Sequence, residues 1–263
     1  MPDFKGYISD LGGPSANMYR MHGKKEHLCH KCKRPSCIHP NVCPNLNVNY
    51  TPLLDIYRTV DAQPGIKKSF ISSGIRYDLL LHTDKKKTFE GADEYMKELI
   101  TRHVSGRLKV APEHTSKRVL DIMRKPDFDL FERFKKIFDK INETNGLRQQ
   151  LIPYFISSHP GCHEEDMAEL AVITKRLNFH LEQIQDFTPT PMTLSTETWY
   201  TGYHPYTLDP VFSAKTQQEK LAQRMFFFWY KPEERRHIVA ELRKIKRLDL
   251  INKLYHTTFR PKS

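Results

Sequence analysis

Short apolar runs alternate with stretches of helical period along the chain. Five runs read as strands. Residues 6–11 close on the turn Gly12-Gly13-Pro14, residues 68–73 end at Gly74, and residues 107–111 are stopped by Pro112. Residues 150–157 run to Pro160-Gly161, and residues 181–187 are followed by Pro189 and Pro191. Apolar runs of this length bounded by Gly and Pro are strand signals. Between them lie helical patterns. Residues 51–62 carry Leu54, Ile56, Tyr57 and Val60, and residues 94–104 carry Tyr95, Met96, Leu99 and Ile100. Residues 128–141 place Phe131, Phe134, Ile137, Phe138 and Ile141 at steps of three and four. Residues 164–177 open on Glu164, Glu165 and Asp166, which suits a helix N-terminus. Strand, helix and strand in this order predict an α/β fold with parallel strands, either most of a (β/α) barrel or an open sheet.

The last part of the chain differs. Residues 217–230 hold Leu221, Met225, Phe226, Phe228 and Trp229, and Lys231-Pro232 interrupts the pattern. Residues 233–247 then present Ile238, Leu242 and Ile245 on one face. The expectation is a helical hairpin packed on the sheet or barrel mouth, its aromatic run in the core and its basic residues on a solvated face.

Composition changes the picture in two ways. With 42 Lys+Arg against 31 Asp+Glu, the formal charge is +11, which favours polyanions but equally serves solubility. No apolar run approaches the 18 residues of a membrane span, and the first residues lack a secretory pattern, so a soluble, cytoplasmic protein is expected with no membrane partner. Of five cysteines, Cys29, Cys32, Cys37 and Cys43 lie within 15 residues in the spacing C-x2-C-x4-C-x5-C. Without an export signal, metal ligation is the better reading than disulfides. Four thiolates can hold zinc or an iron–sulfur cluster, and the spacing separates neither. Cys162, apart from the rest, reads as an ordinary small residue at a helix start.

Ligands of parallel α/β arrays bind at the carboxyl ends of the strands. Here those ends read Gly12-Gly13, Ser73-Gly74-Ile75-Arg76, Pro112-Glu113-His114, Ser158-His159-Pro160-Gly161 and residues 186–191. Glycine admits a close backbone approach, while Arg76, Glu113 and His159 supply charge and hydrogen bonds. No spacing singles out a catalytic acid, base or radical relay among Asp78, Glu113, His114 and Tyr154.

The stretches Ile8-Ser9-Asp10-Leu11-Gly12-Gly13-Pro14-Ser15-Ala16-Asn17-Met18-Tyr19, Ser72-Ser73-Gly74-Ile75-Arg76-Tyr77-Asp78 and Leu108-Lys109-Val110-Ala111-Pro112-Glu113-His114 resemble the YgiQ-type radical S-adenosylmethionine (SAM) proteins. Tyr154 to Gly161 and Tyr200-Thr201-Gly202 extend the resemblance in order along the chain. It implies an incomplete radical-SAM-type (β/α) barrel with parallel strands over residues 1–205, with a Cys-rich insertion at about 22–45, and a C-terminal helical extension over 206–263. It further implies that Gly12 and Gly13 contact the SAM amino group, that Ser73, Arg76 and Glu113 face its ribose or carboxylate, and that His159 and Gly161 line its adenine. The intact enzyme would use SAM and a [4Fe-4S] cluster to generate a 5′-deoxyadenosyl radical.

One departure is an absence. The C-x3-C-x2-C loop that holds the catalytic cluster in this family does not occur in the 263 residues. The first strand resembles the family's second, so the chain is expected to be a C-terminal portion, inactive alone. It would need the missing N-terminal segment, or a separately encoded one, to cover the edge of residues 6–11, and a reductant for activity. Two other readings compete: a metal-stabilised module whose Cys cluster contacts RNA or another polyanion, and an inactive remnant of the fold.

Overall fold

The computed structural model describes residues 3–13, 15–84 and 87–255. Pro14 of the expected first turn and the end of the expected C-terminal region, from residue 256, lie outside them. The elements begin with β1 (Tyr7–Ile8), α1 (Glu26–His30), α2 (Thr51–Asp61), β2 (Lys68–Ser69) and α3 (Tyr77–Leu80). A hairpin of β3 (Thr83–Asp84) and β4 (Lys87–Thr88) leads into α4 (Ala92–Glu98), which continues as a π-helical turn (Leu99–His103). There follow β5 (Arg107–Glu113), α5 (Lys117–Met123), α6 (Phe128–Thr144), β6 (Gln150–Ser157), α7 (Glu164–Arg176) and β7 (Gln183–Asp186). The chain ends in α8 (Leu194–Thr201), α9 (Gln217–Arg224) with a 3-10 turn (Met225–Phe228), α10 (Arg235–Lys244) and α11 (Leu248–Tyr255).

This is a mixed α/β fold with parallel strands. β1 pairs in parallel with β2, Tyr7 opposite Lys68 and Ile8 opposite Ser69. Ile75 bridges Val110 in parallel. A second sheet has the order β5-β6-β7, and β6 runs parallel to β7 with Tyr154 opposite Gln183 and Ser157 opposite Asp186. Only β3 and β4 form an antiparallel hairpin among the described strand pairs. No closed barrel forms among the described residues. The first two strands are shorter than the apolar runs suggest, for a local reason. Past Ile8, the Asp10 carboxylate accepts the amides of Gly12 and Ser72, so a side chain takes backbone donors that a ladder would use.

The chain divides into two compact units, Met1–Ala111 with Asp129–Ile152, and Pro112–Phe128 with Pro153–Ser263. In the first, the apolar stripe of α6 is realised: Phe131, Phe134 and Phe138 are fully buried. Tyr77 meets Phe131 edge-on and stacks on Phe134. Each such phenyl contributes about 2–3 kcal/mol of burial. Tyr50, Tyr57 and Tyr95 form a buried aromatic group, with the rings of Tyr50 and Tyr95 5.1 Å apart.

In the second unit α7 buries Met167, Ala168, Leu170 and Ala171. The 3-10 turn and α11 pack on it, Phe226 and Phe227 being fully buried. In place of the expected two-helix hairpin on the sheet, α9, the 3-10 turn and α11 pack on α7, and α10 packs on the 3-10 turn and α11, with Ile238 and Leu242 inward and Arg235, Arg236, Arg243 and Lys244 exposed. Arg247 bridges Glu165 and Glu169 of α7 to Asp249. No helix among the described residues is long and apolar enough to cross a membrane.

Candidate ligand site at the strand ends

The strand ends of the first unit are tied together by one side chain that sequence reasoning passed over. Asp10 accepts from the amides of Gly12 (2.9 Å) and Ser72 (3.1 Å) and from the Ser73 hydroxyl (2.6 Å). Burial pushes this carboxyl up, but the hydrogen bonds from Ser73, Gly12 and Ser72 outweigh it and hold it below its ordinary value. Gly12 is required by this packing: a Cβ there would stand 2.9 Å from Asp10 Oδ1 and 3.1 Å from the Ser73 Cβ. Gly13 differs, since nothing lies within 4 Å of where its Cβ would be. Arg76 is engaged by Asp78, its Nε donating to Oδ1 at 2.8 Å and its Nη2 to Oδ2. Buried Asn17 clasps the Arg76 backbone, accepting from its amide at 2.7 Å and donating to its carbonyl at 3.0 Å.

In the second unit the ends of β5, β6 and β7 border a cavity of about 290 Å³, lined among others by Glu113, Lys125, His159, Gln185, Asp186 and Ser195. Glu113 sits at a left-handed φ of 66°. One carboxylate oxygen takes an ion pair from Lys125 at 3.0 Å, while the other is buried without a hydrogen-bond partner. Ser158, at the end of β6, also has a left-handed φ, 60°. Non-glycine residues in this region carry strain of order 1–3 kcal/mol and cluster at functional sites. Asp186 accepts from Ser157 and from Arg224 (3.0 Å). Gly161 has a φ of 82° and is packed against Ile122, whose Cδ1 a side chain would strike. Packing thus accounts for Gly161, which is absent from the cavity lining given above.

The hydrogen bonds fix the state of both buried histidines. His159 Nδ1 lies 2.9 Å from the Pro160 carbonyl and therefore carries the proton. Its Nε2 accepts from the Ser195 hydroxyl at 2.8 Å. His114 Nδ1 accepts the Ser116 amide at 3.0 Å, so its Nε2 donates towards Cys162 Sγ, 3.5 Å away. Burial pushes both rings down to about 4, which keeps them neutral. Burial pushes the Cys162 thiol well up, so it is protonated and packed rather than nucleophilic.

Cys29, Cys32 and Cys37 are exposed, Cys43 is half-buried, and all are free thiols. Cys29 Sγ accepts from Asn45 Nδ2 at 3.3 Å and Cys32 Sγ from the Arg34 amide at 3.4 Å. Donor chemistry therefore suits a thiolate-bound metal, but among the described residues no three His, Cys, Asp or Glu side chains converge on one position.

The seven residues expected to contact SAM divide between the units: Gly12, Gly13, Ser73 and Arg76 in the first, Glu113, His159 and Gly161 in the second. Asp10, Asn17, Lys125, Ser195 and Gln223 escaped the sequence reading. For Asp10 a signal existed, an aspartate two residues before a glycine pair at a strand end. Gln223 lies on α9, remote in sequence from the strand end it serves, and Lys125 lies in the loop after α5, so no local pattern marks either.

The described residues thus define an α/β protein whose strand ends present polar side chains to a cavity. Its relatives are UPF0313 proteins, a family of the YgiQ type. The UPF0313 protein of Bacteroides thetaiotaomicron is 76% identical over 256 residues, 97% of this chain and 41% of that protein. That of Porphyromonas gingivalis is 66% identical over 259 residues, 98% of this chain and 41% of its own length. The protein of Methanosarcina acetivorans is 40% identical over 99% of this chain and 34% of its length. The chain therefore spans about two fifths of the length of its most similar relatives named here. No family model matches it.

Proposed function

We propose that this chain is the larger part of the barrel of a radical SAM enzyme, with SAM held at the strand ends. The observation that carries the reading is the cavity where Glu113 and His159 meet at the ends of parallel-sheet strands. The Glu113 carboxylate lining the cavity is an acceptor for ribose hydroxyls, and Lys125 fixes it through one oxygen. His159 Nε2, bare of a proton, is an acceptor for an adenine amino group, a role that the Ser195 hydroxyl fills in its place. SAM supplies radical chemistry when an iron–sulfur cluster reduces it. The residues of this chain do not fit that cluster, because the C-x3-C-x2-C loop is absent from them, so no step through it is derived. We place that loop in the part of the relatives that this chain does not span, with a reductant as a further partner.

Titration calorimetry of the chain with SAM and S-adenosylhomocysteine tests this. Saturable binding is expected, weakened about ten-fold in Glu113→Gln, the loss of one charge-assisted hydrogen bond. Binding of neither ligand at millimolar concentration, or equal affinity in the variant, would overturn the assignment.

The Cys29–Cys43 loop is proposed as a separate metal site. Anaerobically purified protein is expected to carry stoichiometric zinc or iron, lost when all four cysteines are changed to alanine. A brown protein with iron makes the loop a redox site, and a colourless one with zinc makes it structural. Metal-free protein, or metal retained by the variant, refutes the site.

A further inference from the structure

Large exposed hydrophobic side chains are concentrated in one short stretch. Of twelve such residues among those described, Met192, Tyr200, Tyr203, Tyr206, Leu208 and Phe212 lie within 21 positions. Scattered exposed apolar groups are normal, but a contiguous set marks an interaction surface. The stretch is well fixed. Tyr203 bridges Pro210, the Val211 amide bonds the Gly202 carbonyl at 2.7 Å, and His204 Nδ1 accepts the amides of Tyr206 and Thr207. A pre-formed surface loses little entropy on binding.

The composition of the surface names its ligand. A groove of about 580 Å³ is lined by Arg124, Glu197, Trp199, Tyr200 and Tyr206, with two threonines and the apolar Met192 and Leu194. The Arg124 guanidinium lies 5.1 Å from the centre of the Tyr206 ring, which is still 65% exposed. Lys215 Nζ lies 5.5 Å from the Trp199 ring and donates to the Tyr200 carbonyl. Exposed rings interleaved with cations are what a single strand of nucleic acid requires: faces for bases and charges for phosphates. Glu197, the single acid among the groove residues given, suits the amino edge of cytosine. The formal charge of +11 favours the same polyanion over an acid-poor apolar partner. Thr193 lines both this groove and the Glu113–His159 cavity, so a strand in the groove lies beside that cavity.

We propose that the Trp199–Tyr206 surface, with Arg124 and Lys215, binds single-stranded nucleic acid, bases stacking on the tyrosines and phosphates meeting the two cations. The proposal stands independently of SAM binding. Its test is fluorescence anisotropy with a labelled mixed-sequence 12-nucleotide RNA, and the same sequence as a duplex, over a series of KCl concentrations. Saturable binding with preference for the single strand is expected. Tyr206→Ala should weaken it about ten-fold, and Arg124→Ala should flatten the logarithmic salt slope by about 0.7. Tyr206 is exposed and Arg124 half-buried, and unchanged thermal unfolding of the variants confirms that they fold. Wild-type affinity in Tyr206→Ala, equal binding of duplex, or no RNA binding would each overturn the proposal; where the last comes with self-association that Tyr206→Ala abolishes, the surface is a protein interface. An RNA signal lost only with the four cysteines refutes this location as well. The calorimetric SAM titration distinguishes failure here from failure of the SAM reading.

Discussion

Acidification from pH 6.5 to 4 is expected to remove roughly 3 kcal/mol of folding stability for each of two buried histidines. His114 and His159 are buried and neutral, with pKa values pushed down to about 4, against 6.5 in an unfolded chain. Between these values the unfolded state binds more protons, so stability rises with pH there. It is fully present above about 6.5 and is lost as pH falls towards 4. The groups facing each ring set this balance. Around His114, burial dominates; Asp166 acts against it, while His159 and Arg118 reinforce it. Around His159, burial acts against the Pro160 carbonyl, and Ser195 donates to the lone pair that protonation would occupy. Asp10 works in a different window, because its depressed pKa contributes stability lost only below the ordinary carboxylate range. Urea unfolding at pH 7.5, 5.5 and 4.5 measures the effect. A midpoint that stays constant to pH 4.5 would mean that these rings are not buried in neutral form. His159→Gln should retain more of its own stability at low pH than wild type does.

The second large effect is expected at Gln223. This fully buried side chain accepts the Ser158 amide at 2.8 Å and donates to the Cys162 carbonyl at 2.7 Å. It joins α9 to the segment following β6 that carries His159. Gln223→Ala leaves both backbone groups buried without partners, at about 1–3 kcal/mol each, and adds a cavity. A total loss of about 3–5 kcal/mol is expected in denaturant unfolding, and the proposed SAM binding should weaken as His159 loosens. Gln223→Glu keeps an acceptor for Ser158 but loses the donor, and should fall between the two. Loss below about 0.5 kcal/mol in the alanine variant would show that water replaces the amide at little cost.

The legible part of this fold was the part governed by periodicity. The stripe Phe131, Phe134 and Phe138 announces α6, and the apolar run 150–157 coincides with β6 residue for residue. Short elements escaped: α3, α5, α8 and the β3–β4 hairpin span too few residues to show a period, and tertiary contacts decide them. The strands at 6–11 and 68–73 were over-extended because apolar content does not reveal that Asp10 captures the local amides. At the site, Glu113 and His159 were readable from their places at strand ends. Arg76 was readable as a residue but not in its state, since its bidentate pairing with Asp78 depends on side-chain conformation. Ser195 reaches the cavity from α8 and Lys125 from the loop after α5, segments that carry no mark of it.

The π turn at Leu99–His103 bears on how the chain tolerates changes in length. A π turn holds one residue more than an α-helical path needs. Removing one residue there would let α4 run on as a regular helix, so the helix itself would accept the deletion. The contacts at its end limit that tolerance to the one residue. His103 gives its carbonyl to the Ile71 amide and its Nδ1 hydrogen to the Ser69 carbonyl, fixing the end of the turn to the end of β2 and the residues just after it. Removing a second residue from 99–102 would swing His103 by about 100° around the helix axis and pull both bonds apart. Related chains are thus expected to vary in length in surface loops such as the Cys-rich one, and to differ by no more than that one residue between Gly91 and Arg107.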